Sequence, residues 1–149
     1  MDECGYTGKV KYAMDPASSE FFRDGHYDIG FKCIAPDMRT PRQLQDLYND
    51  LLTKYPIVLL EDPFAEDDWE TWSDFNKDCK IELVGDDLLV TNTERVREAS
   101  EKKACNSMLL KVNQIGTVTE AIAAYVSLPM HLPILVKANL GLVQTWPSV

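Results

Sequence analysis

The chain has 149 residues, 45% apolar and 26% charged, ordinary for one globular domain with a moderate core. A net charge of −9 and the lack of any basic patch argue against a nucleic-acid partner and suit a chain that binds cations. With no leader pattern and no apolar run long enough to span a bilayer, a cytoplasmic protein with no membrane partner is expected. Cys4, Cys33, Cys79 and Cys105 lie far apart without CxxC spacing, so reduced thiols are expected rather than a disulfide framework or a zinc site.

Residues 1–9 are polar and read as the end of an element whose start is missing. Val10, Tyr12 and Met14 predict a strand ending at Asp15-Pro16. Phe21-Phe22 and Tyr27, Ile29 and Phe31 flank the turn signal Asp24-Gly25, which predicts a hairpin with His26 as a solvated loop residue. Thr40, Pro41 and Gln43 form a capping box ahead of a helix whose buried face is Leu44, Leu47, Tyr48, Leu51, Leu52 and Tyr55. Ile57-Val58-Leu59-Leu60 then predicts a strand buried on both faces, ending at Glu61-Asp62-Pro63.

A second helix is expected after an Asp67 cap, with Glu70 as box partner and Trp69, Trp72 and Phe75 packed inward. Ile81–Gly85 predicts the next strand, ending at Asp86-Asp87, and Thr91 or Asn92 caps a helix with Val96 and Ala99 on its apolar side. Met108–Leu110 runs into Lys111. Thr117 and Glu120 then box a helix with Val118, Ala121, Ile122, Tyr125 and Val126 as its buried stripe. Beyond that the pattern weakens: Ile134–Val136 suits a fifth strand, and His131 and Lys137 read as solvated.

The interval between charged strand ends is regular. Glu61, Asp86 and Lys111 are each 25 residues apart, about one strand, one helix and two loops. Parallel strands would bring these ends to one face, where α/β folds place their ligands. Asp15, Glu61 and Asp86 would there make a hard-oxygen site for Mg²⁺ or Mn²⁺, with Lys111 a base beside it. Salt bridges tying strand ends together fit the same pattern, and at this level both readings stand. A metal beside a lysine suits proton abstraction next to a carboxylate. A receiver-type signalling domain also uses strand-end acids and a lysine, but its acidic pair ends the first strand, whereas Asp86-Asp87 comes late.

KVKYAMDPASSEFFRDGHYDIGFK, YPIVLLEDPFAEDDWETW, VGDDLLVTN and MLLKVNQIGTVTEAIAAY closely resemble consecutive stretches of the enolase family, from about Gly5 to Tyr125. The resemblance implies an α/β fold, an incomplete enolase-type (β/α)8 TIM barrel with about half of its strands. It implies Asp15, Glu61 and Asp86 as Mg²⁺ ligands, Glu61 and Asp86 against the substrate, and Lys111 as the base taking the C2 proton of 2-phosphoglycerate. The implied activity is phosphopyruvate hydratase, the glycolytic lyase forming phosphoenolpyruvate, usually as a homodimer. The resemblance also implies that the family's N-terminal domain, first barrel strands and general-acid glutamate are absent from these 149 residues. Residues 126–149 carry PILVKANLGLVQTWPSV where the family has a phosphate-gripping Ser-His-Arg-Ser run, so 1–125 reads as the partial barrel domain and 126–149 as a divergent tail. Impaired catalysis is therefore expected, the alternative being a noncatalytic enolase-derived fragment that binds a partner or is unstable. An open barrel should also leave edges beside Val10–Met14 and near Ile134–Val136, uncovered inward faces on Ile57–Leu60 and Met108–Leu110, and weak Mg²⁺ binding.

Overall fold

The computed structural model describes the backbone of residues 2–128, 134–137 and 143–146, with side chains within 3–128. Strand β1 (Tyr12–Met14) precedes a small antiparallel sheet of β2 (Phe22–Arg23), β3 (His26–Asp28) and β4 (Met38–Arg39). Helices and strands then alternate: α1 (Pro41–Lys54), β5 (Ile57–Glu61), α2 (Trp69–Asn76), β6 (Glu82–Gly85), α3 (Thr93–Lys102) and β7 (Ser107–Leu110). The one-turn α4 (Val112–Ile115), α5 (Val118–Val126), β8 (Ile134–Lys137) and β9 (Val143–Trp146) complete the order. The main sheet runs β1-β5-β6-β7-β8-β9, parallel through β8 and antiparallel at β9. Parallel neighbours need a crossover, which the intervening helices supply. Among the described residues the sheet is open, with β1 and β9 at its edges, so the barrel is partial. Pairing of β9 onto β8 moves the far edge away from the expected Ile134–Val136.

Period-two alternation sorts the strand residues between two layers. Leu60, Leu83 and Met108 join Trp72, Phe75, Val96 and Ala99 in the main core, while Leu59, Val84 and Leu109 meet in a second cluster. The expected burial of Ile57–Leu60 on both faces is only partly realised, since Leu60 is enclosed but Val58 is 44% exposed. Nor does the inward face lie open throughout: Val84 and Leu109 are buried, and Leu59 is half-buried. No helix among the described residues is long and apolar enough to cross a membrane.

Local chemistry explains most element boundaries. Thr40 Oγ1 accepts the Gln43 N–H, and Gln43 returns to the Thr40 N–H, the reciprocal cap that starts α1. Leu44 and Tyr48 are buried behind it, but Tyr55 is exposed, because it is the C-cap and its extended backbone takes it off the helical period. Asp24 and Gly25 both have positive φ, as a two-residue type I′ turn requires, and they pair Phe22 with Tyr27. Asp68, not Asp67, caps α2; Asp67 instead forms an ion pair with Arg95. Asn92 caps α3.

The α5 stripe is the largest departure. Thr117 accepts the Glu120 N–H, but Glu120 returns to the Thr117 hydroxyl rather than to its backbone. Ala121 and Ala124 are the buried residues of the helix, whereas Val118, Ile122, Tyr125 and Val126 are each more than half exposed. Small side chains allow close approach to a neighbouring helix, and α5 lies against α3. His131, Leu140 and Leu142, and the side chains of Lys137, Val143 and Trp146, lie outside the described residues.

The aromatic core anchors the segment between β5 and α2. Phe64 is fully buried and meets Tyr27, Tyr48, Trp72 and Phe75 edge-on, at centroid distances of 5.3–6.3 Å. Trp72 Nε1 donates to the Ala65 carbonyl (3.0 Å), and the Tyr27 hydroxyl accepts the Ala65 N–H (3.0 Å) while donating to Asp68 (2.6 Å). Burial, and next the bond to Asp68, keep the Tyr27 hydroxyl protonated well above its usual range. The loop that follows Glu61 and Asp62 is thus fixed from both sides.

Candidate active site

Glu61, Asp86 and Lys111 emerge at the C-terminal ends of β5, β6 and β7, three adjacent parallel strands. Each stands two residues beyond a member of the Leu59, Val84 and Leu109 cluster, continuing the alternation toward the same face. Gly85 makes the turn out of β6 possible: a Cβ there would come within 2.9 Å of the Leu89 side chain.

Lys111 Nζ forms an ion pair with Asp86 Oδ2, with Asp86 almost wholly buried and Lys111 about one-quarter exposed. Burial by itself would pull the Lys111 ammonium down. The hydrogen bond and charge of Asp86, joined by Glu61 and Asp87, nevertheless hold it above its ordinary value. Asp15, at the end of β1, stands on the exposed rim, where its Oδ1 accepts the Ala17 N–H (3.0 Å). Its charge reaches the site: the Asp87 carboxyl is raised by burial and by Asp86, with Asp15 and Glu20 adding to the effect against Lys111.

Asp62 has a role that strand-end reasoning missed. Its Oδ1 accepts the Asp86 N–H (3.0 Å) and its Oδ2 accepts the Asp87 N–H (2.8 Å). Burial pushes its carboxyl up to about 7, against the pull of these two bonds, with the charges of Asp87 and Asp86 adding. Asp62, Asp86 and Asp87 each place one oxygen within 4.8 Å of the others. Among these three, Asp62 is occupied with the backbone that carries the other two, Asp86 is buried against Lys111 and Gln114, and Asp87 is half-buried.

Further supports come from α3 and α4. Arg95 donates to the Leu88 and Glu66 carbonyls and pairs with Asp67 (3.2 Å), tying the loops after β5 and β6 together. Gln114 Nε2 donates to Asp86 Oδ1 (3.1 Å), and Thr91 Oγ1 accepts the Lys111 N–H (2.9 Å). Neither contact is visible as a motif, because the partners lie 20 or more residues apart. The donor set is entirely hard oxygen, gathered around one lysine, and so fits Mg²⁺ or Mn²⁺. The Lys111–Asp86 contact is itself a salt bridge between strand ends, the other expectation for these charges.

A family model for the enolase C-terminal TIM barrel domain matches residues 1–130. With that match over most of its length and a parallel α/β sheet that carries its charges at the strand ends, the chain belongs to the enolase C-terminal barrel family.

Proposed function

We propose that this domain performs the enolase reaction, the dehydration of 2-phosphoglycerate to phosphoenolpyruvate with Mg²⁺. The observation that carries the reading is the Lys111–Asp86 pair, set among Glu61, Asp87 and Asp15 at adjacent strand ends. In this reading Asp15, Glu61 and Asp86 hold the cation and Lys111 is the catalytic base. The bound cation supplies Lewis-acid stabilisation of the charge that develops on the substrate carboxylate.

Lys111 Nζ takes the C2 proton and the C2–H electron pair moves toward the carboxylate. The pair then returns to form the C2=C3 double bond as the C3 hydroxyl, protonated by a separate general acid such as the glutamate that the family resemblance implies, leaves as water. To act as a base Lys111 must first surrender its own proton, which Asp86 now stabilises. Were Asp86 Oδ2 shared with a second positive charge, its hold on the Lys111 ammonium would weaken and the downward pull of burial would lose its main opponent. Glu61 and Asp86 also orient the substrate by their position beside Lys111. A cytoplasmic, glycolytic setting belongs to the same proposal, as does the division into a barrel segment 1–125 and a divergent tail 126–149.

The 149 residues contain no Ser-His-Arg-Ser run to grip phosphate. Losing one positioned electrostatic donor typically costs about 100- to 1000-fold in turnover. Purified chain with Mg²⁺ and 2-phosphoglycerate, followed by phosphoenolpyruvate absorbance, is expected to give slow product formation that stops on chelation. Turnover equal to that of a complete enolase would refute the expected impairment. A folded chain giving no product would favour the noncatalytic reading, to which the exposed face of α5 also points.

A further inference from the structure

The hydrogen bonds around Lys111 close into a ring. The Lys111 N–H donates to Thr91 Oγ1 (2.9 Å), and the Thr91 hydroxyl donates to Gln114 Oε1 (3.3 Å). Gln114 Nε2 donates to Asp86 Oδ1 (3.1 Å), and Asp86 Oδ2 takes the Lys111 ammonium. Every donor in the ring meets an acceptor. The Gln114 amide has one consistent orientation, because its carbonyl faces a hydroxyl and its NH₂ faces a carboxylate. Gln114 lies three residues after Lys111 across the single turn of α4, and so presents its side chain on the same side.

Thr91 is wholly buried, and both it and Val90 adopt left-handed backbone (φ 54 and 43), an unusual conformation for β-branched residues. That strained loop brings the Thr91 hydroxyl between the end of β7 and α4. The result governs Asp86: Oδ1 is taken by Gln114, which leaves Oδ2 facing Lys111.

We propose that Gln114, oriented by Thr91, is a positioning residue that fixes the Asp86 carboxylate so that Oδ2 is the oxygen shared between the Lys111 ammonium and an incoming divalent cation. This rests on the metal-assisted reading above and adds to it the residues that aim the ligand. Outer-layer hydrogen bonds of this kind typically change metal affinity by about 10- to 100-fold when removed.

Mn²⁺ titration of the intact chain without substrate, read from the electron paramagnetic resonance of the free ion, tests the assignment apart from turnover. Gln114→Met and Thr91→Val, which keep bulk but remove the hydrogen-bonding groups, are expected to weaken Mn²⁺ binding about 10- to 100-fold. Thr91→Ser, which keeps the hydroxyl, is expected to bind close to the unsubstituted level. Equal affinity in the Met variant and the unsubstituted chain overturns the positioning role, as does an equal fall in the Val and Ser variants. If Gln114→Met does not fold, the Thr91 pair decides the matter by the same criterion. Failure of the unsubstituted chain to bind Mn²⁺ overturns the metal-assisted reading itself.

Discussion

Replacing Lys111 with alanine is expected to lower phosphoenolpyruvate formation by roughly 100- to 10,000-fold, the usual contribution of a positioned acid or base. The variant removes the base and also strips Asp86 of its cationic partner in a nearly buried position. The two effects need separating, and Lys111→Arg separates them. Arginine retains a positive charge opposite Asp86 but does not release a proton near neutral pH. Both variants should therefore lose turnover, while only alanine should lose a large part of the folding stability. Urea unfolding alongside the product assay distinguishes them. Appreciable turnover in either variant would show that Lys111 is not the base.

Asp62→Ala is expected to have the largest effect on stability of any substitution in the acidic cluster. It orphans the Asp86 and Asp87 N–H groups, each of which now donates to one Asp62 oxygen. An unsatisfied buried donor costs about 1–3 kcal/mol, so two cost roughly 2–6 kcal/mol, less whatever water recovers. Native domains are stable by only about 5–15 kcal/mol, so the variant sits near the unfolding threshold. Asp62→Asn retains one acceptor and should fall between the two. Denaturant midpoints measured without divalent cation give the comparison, and an Asp62→Ala midpoint within experimental scatter of the unsubstituted chain would contradict the role assigned to Asp62.

The parts of the fold visible in the sequence are those set by local rules. The α1 boundaries follow from Thr40, Pro41 and Gln43, and the hairpin from Asp24-Gly25, because both depend on residues within one turn. The strand-end alignment of Glu61, Asp86 and Lys111 followed from an even spacing, which parallel crossovers preserve. Periodicity tells which residues of α5 share a face but not which face another helix will cover. The contact with α3 selected Ala121 and Ala124, leaving Ile122 and Tyr125 outside. The Asp68 cap was displaced by one residue because neighbouring acids are equally good acceptors, and Tyr27 and Arg95 settle which of them turns inward. Asp62, Thr91 and Gln114 were hidden for a further reason: their importance lies in contacts between loops that the fold, and no local pattern, brings together.

The central claim is that the strand-end carboxylates hold one divalent cation beside Lys111. Mg²⁺ calorimetry on the intact chain, compared with Glu61→Gln and Asp86→Asn, tests it most directly. A single weak site is expected in the unsubstituted chain, with affinity falling at least about tenfold in each variant, as loss of a hard-oxygen donor requires. Binding of Mg²⁺ that is indifferent to both substitutions, or no binding at millimolar Mg²⁺, would contradict it.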